Sequence, residues 1–161
     1  MLHKITSVND NISINIMMRV KNMINLDNLI RQHDTIYTEI NFIMEEVSKG
    51  SAINVAETVL HINKLAGNLN IHLMNEDKFL YPNLLKSTDL TVQKLAVQYN
   101  SEMGDLANIF TEYKNKYNTS FKINEKKDSF INDTKKVLNT LVKRIEKEDN
   151  GLYKIIKEKN L

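Results

Sequence analysis

Apolar residues recur every three or four positions along four long stretches of this chain, and that spacing predicts four helices. The first, from about Asn22 to Ser48, repeats at Leu26, Ile30, His33, Tyr37, Ile40, Met44 and Val47. The second, from about Ile53 to Tyr81, carries Leu65, Leu69, His72, Glu76 and Phe79, and Pro82 is expected to stop it. The third, from about Leu90 to Tyr117, repeats at Val92, Leu95, Tyr99, Glu102, Leu106, Ile109 and Tyr113. The fourth, from about Asp128 to Lys157, runs through Ile131, Leu138, Leu141, Ile145, Glu148, Leu152 and Ile155. The connections "SKGSA", "NLLKSTD" and "NTSFKINEKKD" are short, so the helices are expected to pack as an all-α, up-down-up-down antiparallel four-helix bundle over residues 22–161. Residues 1–21 are read as an N-terminal arm or short extra helix, with Ile12, Ile16 and Val20 available to pack on the bundle.

Each apolar stripe is broken by a polar residue: His33 on the first helix, His72 with Glu76 on the second, Glu102 on the third and Glu148 on the fourth. A buried carboxylate without a partner costs several kcal/mol, so a core stripe does not carry one by accident. Any single intruder has a plain explanation, either a hydrogen-bonded core histidine or a stripe edge misjudged by one residue. Their heights argue otherwise. Counted from the bundle end at which the first helix starts, all fall within a slab roughly 10 Å thick, at 1.5 Å per residue. Inward-facing side chains in one layer of a four-helix bundle are a familiar way to build a metal site.

The rest of the composition narrows the alternatives. With 22 basic and 20 acidic residues in 161, the net charge is only +2, which gives no case for a nucleic-acid or anionic-membrane partner. The absence of cysteine excludes disulfides, iron–sulfur ligation and thiolate zinc sites. No apolar run approaches the roughly 18 residues of a membrane span, and the N-terminus lacks a signal-peptide core, so a cytoplasmic location is expected by default. One Pro and four Gly suit long uninterrupted helices.

At these residues the chain resembles the hemerythrin-like, or HHE cation-binding, family. "LAGNLNIHLMNEDKFLYP" is similar to the family's second-helix pattern, H-x-x-x-E followed by a leucine-tyrosine-proline end. "LIRQHDTI" resembles the first-helix pattern with His33 as its ligand, "LVKRIEKEDNGLY" the fourth helix, and "YNSEMGDLANIFTEY" the third in one bacterial branch. The resemblance implies a non-haem diiron centre that binds oxygen or nitric oxide, or handles iron. The ligand positions it fills here are His33, His72, Glu76, Glu102 and Glu148. The departures are specific: Glu102 stands where the third helix usually supplies histidine, and Arg144 stands where the fourth usually has one. Arg144 cannot ligate a cation, but it can anchor a carboxylate. Tyr37 and Tyr99, about one turn from the layer, are the other candidate partners of the ligands, with plain aromatic packing as the alternative.

Three carboxylates with Arg144 leave two net negative charges if both histidines are neutral. One divalent ion would neutralise them; two would need an oxo or hydroxo bridge. Imidazole and carboxylate donors suit iron, manganese or zinc, and iron is placed first. The resulting expectation is an iron protein that senses or binds oxygen or nitric oxide, or handles iron, with an unidentified protein partner left open. No residue set demands an organic substrate, so turnover is not expected. The rival reading is a metal-free regulatory or interaction bundle in which Arg144 pairs with the glutamates. A further alternative is "LHINKLAGN", which resembles the H-x-x-K stretch of histidine phosphotransfer domains, with His61 as the acceptor.

Overall fold

A computed structural model describes residues 24–161, so the arm expected over residues 1–21 lies outside the described residues. Among the described residues there is no strand, and the chain folds as a helical bundle. Helix α1 spans Leu26–Ser48, α2 Val55–Asn75, α3 Tyr81–Leu85, α4 Leu90–Tyr117, α5 Ser120–Glu125, α6 Lys127–Lys147 and α7 Tyr153–Lys159. Short polar side chains cap the starts of three of the four long ones. Asn25 accepts from the Asn28 amide, Asn54 from that of Glu57, and Asp89 from those of Thr91 and Val92. Gly50, with φ at 59°, supplies the left-handed turn after α1 that a side chain would resist.

Helix α1 packs on α2 and α6, and α4 packs on α6 and α2, which closes the bundle. No helix among the described residues is long and apolar enough to cross a membrane. The last connection is more structured than its polar composition suggests, because α5 forms within it and buries Ile123.

The largest departure from a regular helix occurs twice. Between α2 and α3 the chain makes one π turn, Glu76–Leu80, in which the Tyr81 amide reaches back to the Glu76 carbonyl. Between α6 and α7 it makes another, Glu148–Leu152, in which the Tyr153 amide reaches the Glu148 carbonyl. Pro82 therefore does not stop the second long helix, which continues to Leu85. The π turn resets the hydrogen-bond register, so Pro82 falls in the first turn of a new α segment, where no amide hydrogen is needed. One inserted residue also swings the following face by about 100°. Phe79, which the periodicity places with the core, is 51% exposed, whereas Leu80 and Tyr81 point inward.

The core is divided in two. One apolar cluster fills the shaft with Ile36, Ile40, Ile62, Leu65, Leu106, Phe110 and Leu138, among others. The other closes the opposite end with Leu29, Leu80, Leu84, Ala96, Leu152 and Ile156. On α1, His33 falls between Leu29 and Ile36; on the second long helix, His72 and Glu76 fall between Leu69 and Leu80. A polar layer separates the two apolar bodies.

Candidate metal centre

That layer consists of His33, His72, Glu76, Glu148 and Arg144, and the first four expose 1% of their surface or less. Burial this complete makes every unpaired polar atom costly. The imidazoles face each other, with His33 Nε2 3.2 Å from His72 Nε2. His33 Nε2 lies 3.3 Å from Glu148 Oε2, and His72 Nε2 lies 3.6 Å from Glu76 Oε2. Donors held about 2.1 Å from one ion sit roughly 3.0 Å apart at octahedral edges and 3.4 Å apart at tetrahedral ones. The His33–His72 and His33–Glu148 separations match a shared centre, and Glu76 Oε2 stands farther out beside His72. The donor atoms of His33, His72 and Glu148 all lie within 4.8 Å of one another.

Each donor is aimed by a neighbour. Asp149 Oδ1 accepts from His33 Nδ1 at 2.8 Å, and Gln32 Oε1 accepts from His72 Nδ1 at 3.2 Å, which leaves both Nε2 atoms for the centre. Tyr153 donates to Glu76 Oε1 at 3.0 Å and stacks on the His33 ring, centroids 5.2 Å apart. Arg144 Nη2 is 2.8 Å from Glu148 Oε1 and donates to the Tyr99 carbonyl at 2.9 Å. The Arg144 guanidinium lies over the Tyr99 ring at 4.7 Å. Glu148 is charge-paired with Arg144 but out of hydrogen-bond alignment, so both its oxygens and Glu76 Oε2 have no hydrogen-bond donor. Orphaned acceptors converging on two imidazole nitrogens are what a cation would satisfy.

In the metal-free protein a proton does that work. Burial alone would lower His33, but its hydrogen bond to Asp149 and the adjacent Glu148 carboxylate outweigh it and hold the imidazole up at about 9. Burial, then the charges of His33 and Arg144, push His72 down to about 3. His33 therefore donates from both nitrogens, and His72 accepts at Nε2. Burial, then the nearby Glu148 carboxylate, raise Glu76 well above the ordinary carboxylate range.

A metal competes with those protons. Its uptake near pH 7 should release the His33 proton, and affinity should rise up to about tenfold per pH unit until His33 is neutral near pH 9. Calorimetry in buffers of different ionisation enthalpy measures this; pH-independent uptake would contradict it. The metal-free fold carries the same linkage. The His33 contribution, about 3 kcal/mol at most, is fully present below pH 6.5 and lost as pH rises through about 9. Glu76, also raised, acts in the same direction.

The structure does not bring every sequence candidate here. Glu102 is not in the layer: it lies at the surface of α4, and Lys147 Nζ donates to its Oε2 at 2.6 Å. The stripe assigned from periodicity is right at Val92, Tyr99, Leu106 and Tyr113 but one residue off between them, where α4 buries Ala96, Met103 and Phe110 instead of Leu95, Glu102 and Ile109. Glu102→Ala should leave metal content unchanged and stability within about 1 kcal/mol, as elemental analysis and thermal melts would show. Arg144 and Tyr99 do reach the layer; Tyr37 is half-exposed, with its hydroxyl raised to about 12 by burial and then by Asp149. His61 is occupied elsewhere, with Nδ1 2.6 Å from Glu39 Oε2 and its ring stacked on Phe42.

Sequence reasoning missed Gln32, Asp149 and Tyr153, and with them the buried Tyr81, whose hydroxyl has no hydrogen-bond partner among the described residues. A signal for the tyrosines exists. The segments "EDKFLY" at 76–81 and "EDNGLY" at 148–153 share Glu-Asp-x-x-Leu-Tyr, and each follows its layer residue, His72 or Arg144, by four positions. Both segments contain the π turns, which occur often at functional sites. Gly151 has its own reason, because a Cβ there would run into the Tyr99 hydroxyl, which donates to the Lys147 carbonyl.

The family model described as the hemerythrin HHE cation binding domain matches residues 25–156. No curated protein and no solved structure matches the chain at a significant level.

Proposed function

The chain belongs to the hemerythrin HHE cation-binding family, and from that premise we propose that it holds iron through His33, His72, Glu76 and Glu148 and serves to bind or sense oxygen or nitric oxide, or to handle iron. The observation that carries this reading is the meeting of two imidazole Nε2 atoms with otherwise unpartnered carboxylate oxygens in a dry layer. Two imidazoles with carboxylates are a donor set suited to ferrous iron with open positions, ahead of zinc or manganese. Bound iron would supply a site for a small diatomic ligand and a one-electron redox change.

The protein's own residues do the rest. Asp149 and Gln32 fix the imidazole tautomers, and Tyr153 holds one oxygen of Glu76. The apolar bodies on either side shield the layer from solvent.

The test is to load the purified protein with ferrous iron without oxygen, measure iron per chain, and record paramagnetic resonance before and after nitric oxide. Bound iron with a new nitrosyl signal supports the proposal. Iron that binds but ignores nitric oxide and oxygen leaves iron handling. Failure to retain any metal would return the layer to a metal-free polar core built on the Arg144–Glu148 pair.

A further inference from the structure

The two carboxylates of the layer have imidazoles on one flank and a guanidinium on the other. Glu148 spans the two flanks: Oε2 turns to His33 at 3.3 Å, and Oε1 turns to Arg144 Nη2 at 2.8 Å. Arg144 is 6% exposed, anchored by the Tyr99 carbonyl and laid over the Tyr99 ring, so its charge is fixed in place. We propose that the layer takes one divalent ion, not two, and that the Arg144 guanidinium stands in for a second cation. This rests on the metal-binding reading above.

Three observations support it. First, donors converge on one point only: among the described residues, His33, His72 and Glu148 form the sole cluster of histidine, cysteine or acidic groups close enough to share an ion. Second, α4 offers a second ion no ligand. It presents Ala96, Tyr99 and Met103 to the interior, and its nearby carboxylate, Glu102, is held at the surface by Lys147. Third, charge sets a limit. Glu76, Glu148 and Arg144 leave one net negative charge when both carboxylates are ionised. One divalent ion reverses that to a single positive charge. A second, without an oxo or hydroxo bridge to offset it, would leave three positive charges between two apolar bodies, a heavy desolvation cost. Because a guanidinium has no lone pair and does not lose its proton in proteins, it repels a cation at Glu148 Oε1 at any ordinary pH.

Manganese(II), loaded into the full chain, tests this directly. Elemental analysis should give one manganese per chain, with the six-line resonance of an isolated ion. Two ions per chain, or an exchange-coupled spectrum, would overturn the single-ion inference and leave the metal-binding reading intact. Retention of neither manganese nor iron would overturn that reading and this inference together. A second arm changes only the charge: Arg144→Gln should bind manganese at least about tenfold more tightly, or admit a second ion. Unchanged or weaker binding by a folded Arg144→Gln protein would show that the guanidinium does not act as the stand-in.

Discussion

Replacing His72 with alanine should strip the protein of its metal. A structural four-donor site is worth on the order of 10–16 kcal/mol, so one of four donors accounts for roughly a quarter, a loss on the order of a hundredfold to just under a thousandfold. His72 is the sharpest single test because it has no exposed surface and its Nε2 faces both His33 Nε2 and Glu76 Oε2. With it gone, the remaining donors are one imidazole and two carboxylates, and a small void opens between the apolar bodies. Elemental analysis after desalting, with circular dichroism to show that the helices persist, reads the outcome. His61→Ala is the control, since His61 pairs with Glu39 and has no atom in the layer. If His72→Ala kept its metal, the ligand assignment would fail.

The second large effect is on stability. Arg144→Met replaces a buried guanidinium with an apolar chain of similar length and leaves Glu148 charged without its partner. Breaking a buried pair from one side costs about 3–5 kcal/mol. In a chain of this size that lowers the melting temperature on the order of 10 °C. The cost should be confined largely to the metal-free protein, because a bound cation compensates Glu148 from its other oxygen. By linkage, whatever stability the variant recovers on loading appears as tighter metal binding. Thermal melts with and without metal measure both quantities. Equal losses in the two states would mean that Arg144 acts through packing against Tyr99 alone.

How much of this was legible before the fold depends on which physical rule each feature obeys. The four long helices and the height of the polar layer follow from local spacing. His33, His72, Glu76 and Glu148 were found because a polar residue in an apolar stripe is expensive wherever the helix packs. Glu102 was misplaced for a related reason. A periodicity of 3.6 tolerates a shift of one residue, and Met103 serves the α4 stripe as well as Glu102 does, until Lys147 draws the carboxylate to the surface. Phe79 and Pro82 were misread because both lie in or just after a π turn, where the regular count fails.

The sequence by itself therefore determined an all-helical bundle, four polar side chains buried in its core and the presence of an arginine beside them. These depend on hydrophobic burial and on distances along one helix, which are short-range and nearly independent of the partner helices. Only the tertiary structure decided which donors meet, which imidazole holds the proton, and where Arg144 rests its charge. Such choices depend on ångström-scale approaches between helices 39 to 116 residues apart in the chain, as in His33 with His72 and with Asp149, and no local pattern encodes them.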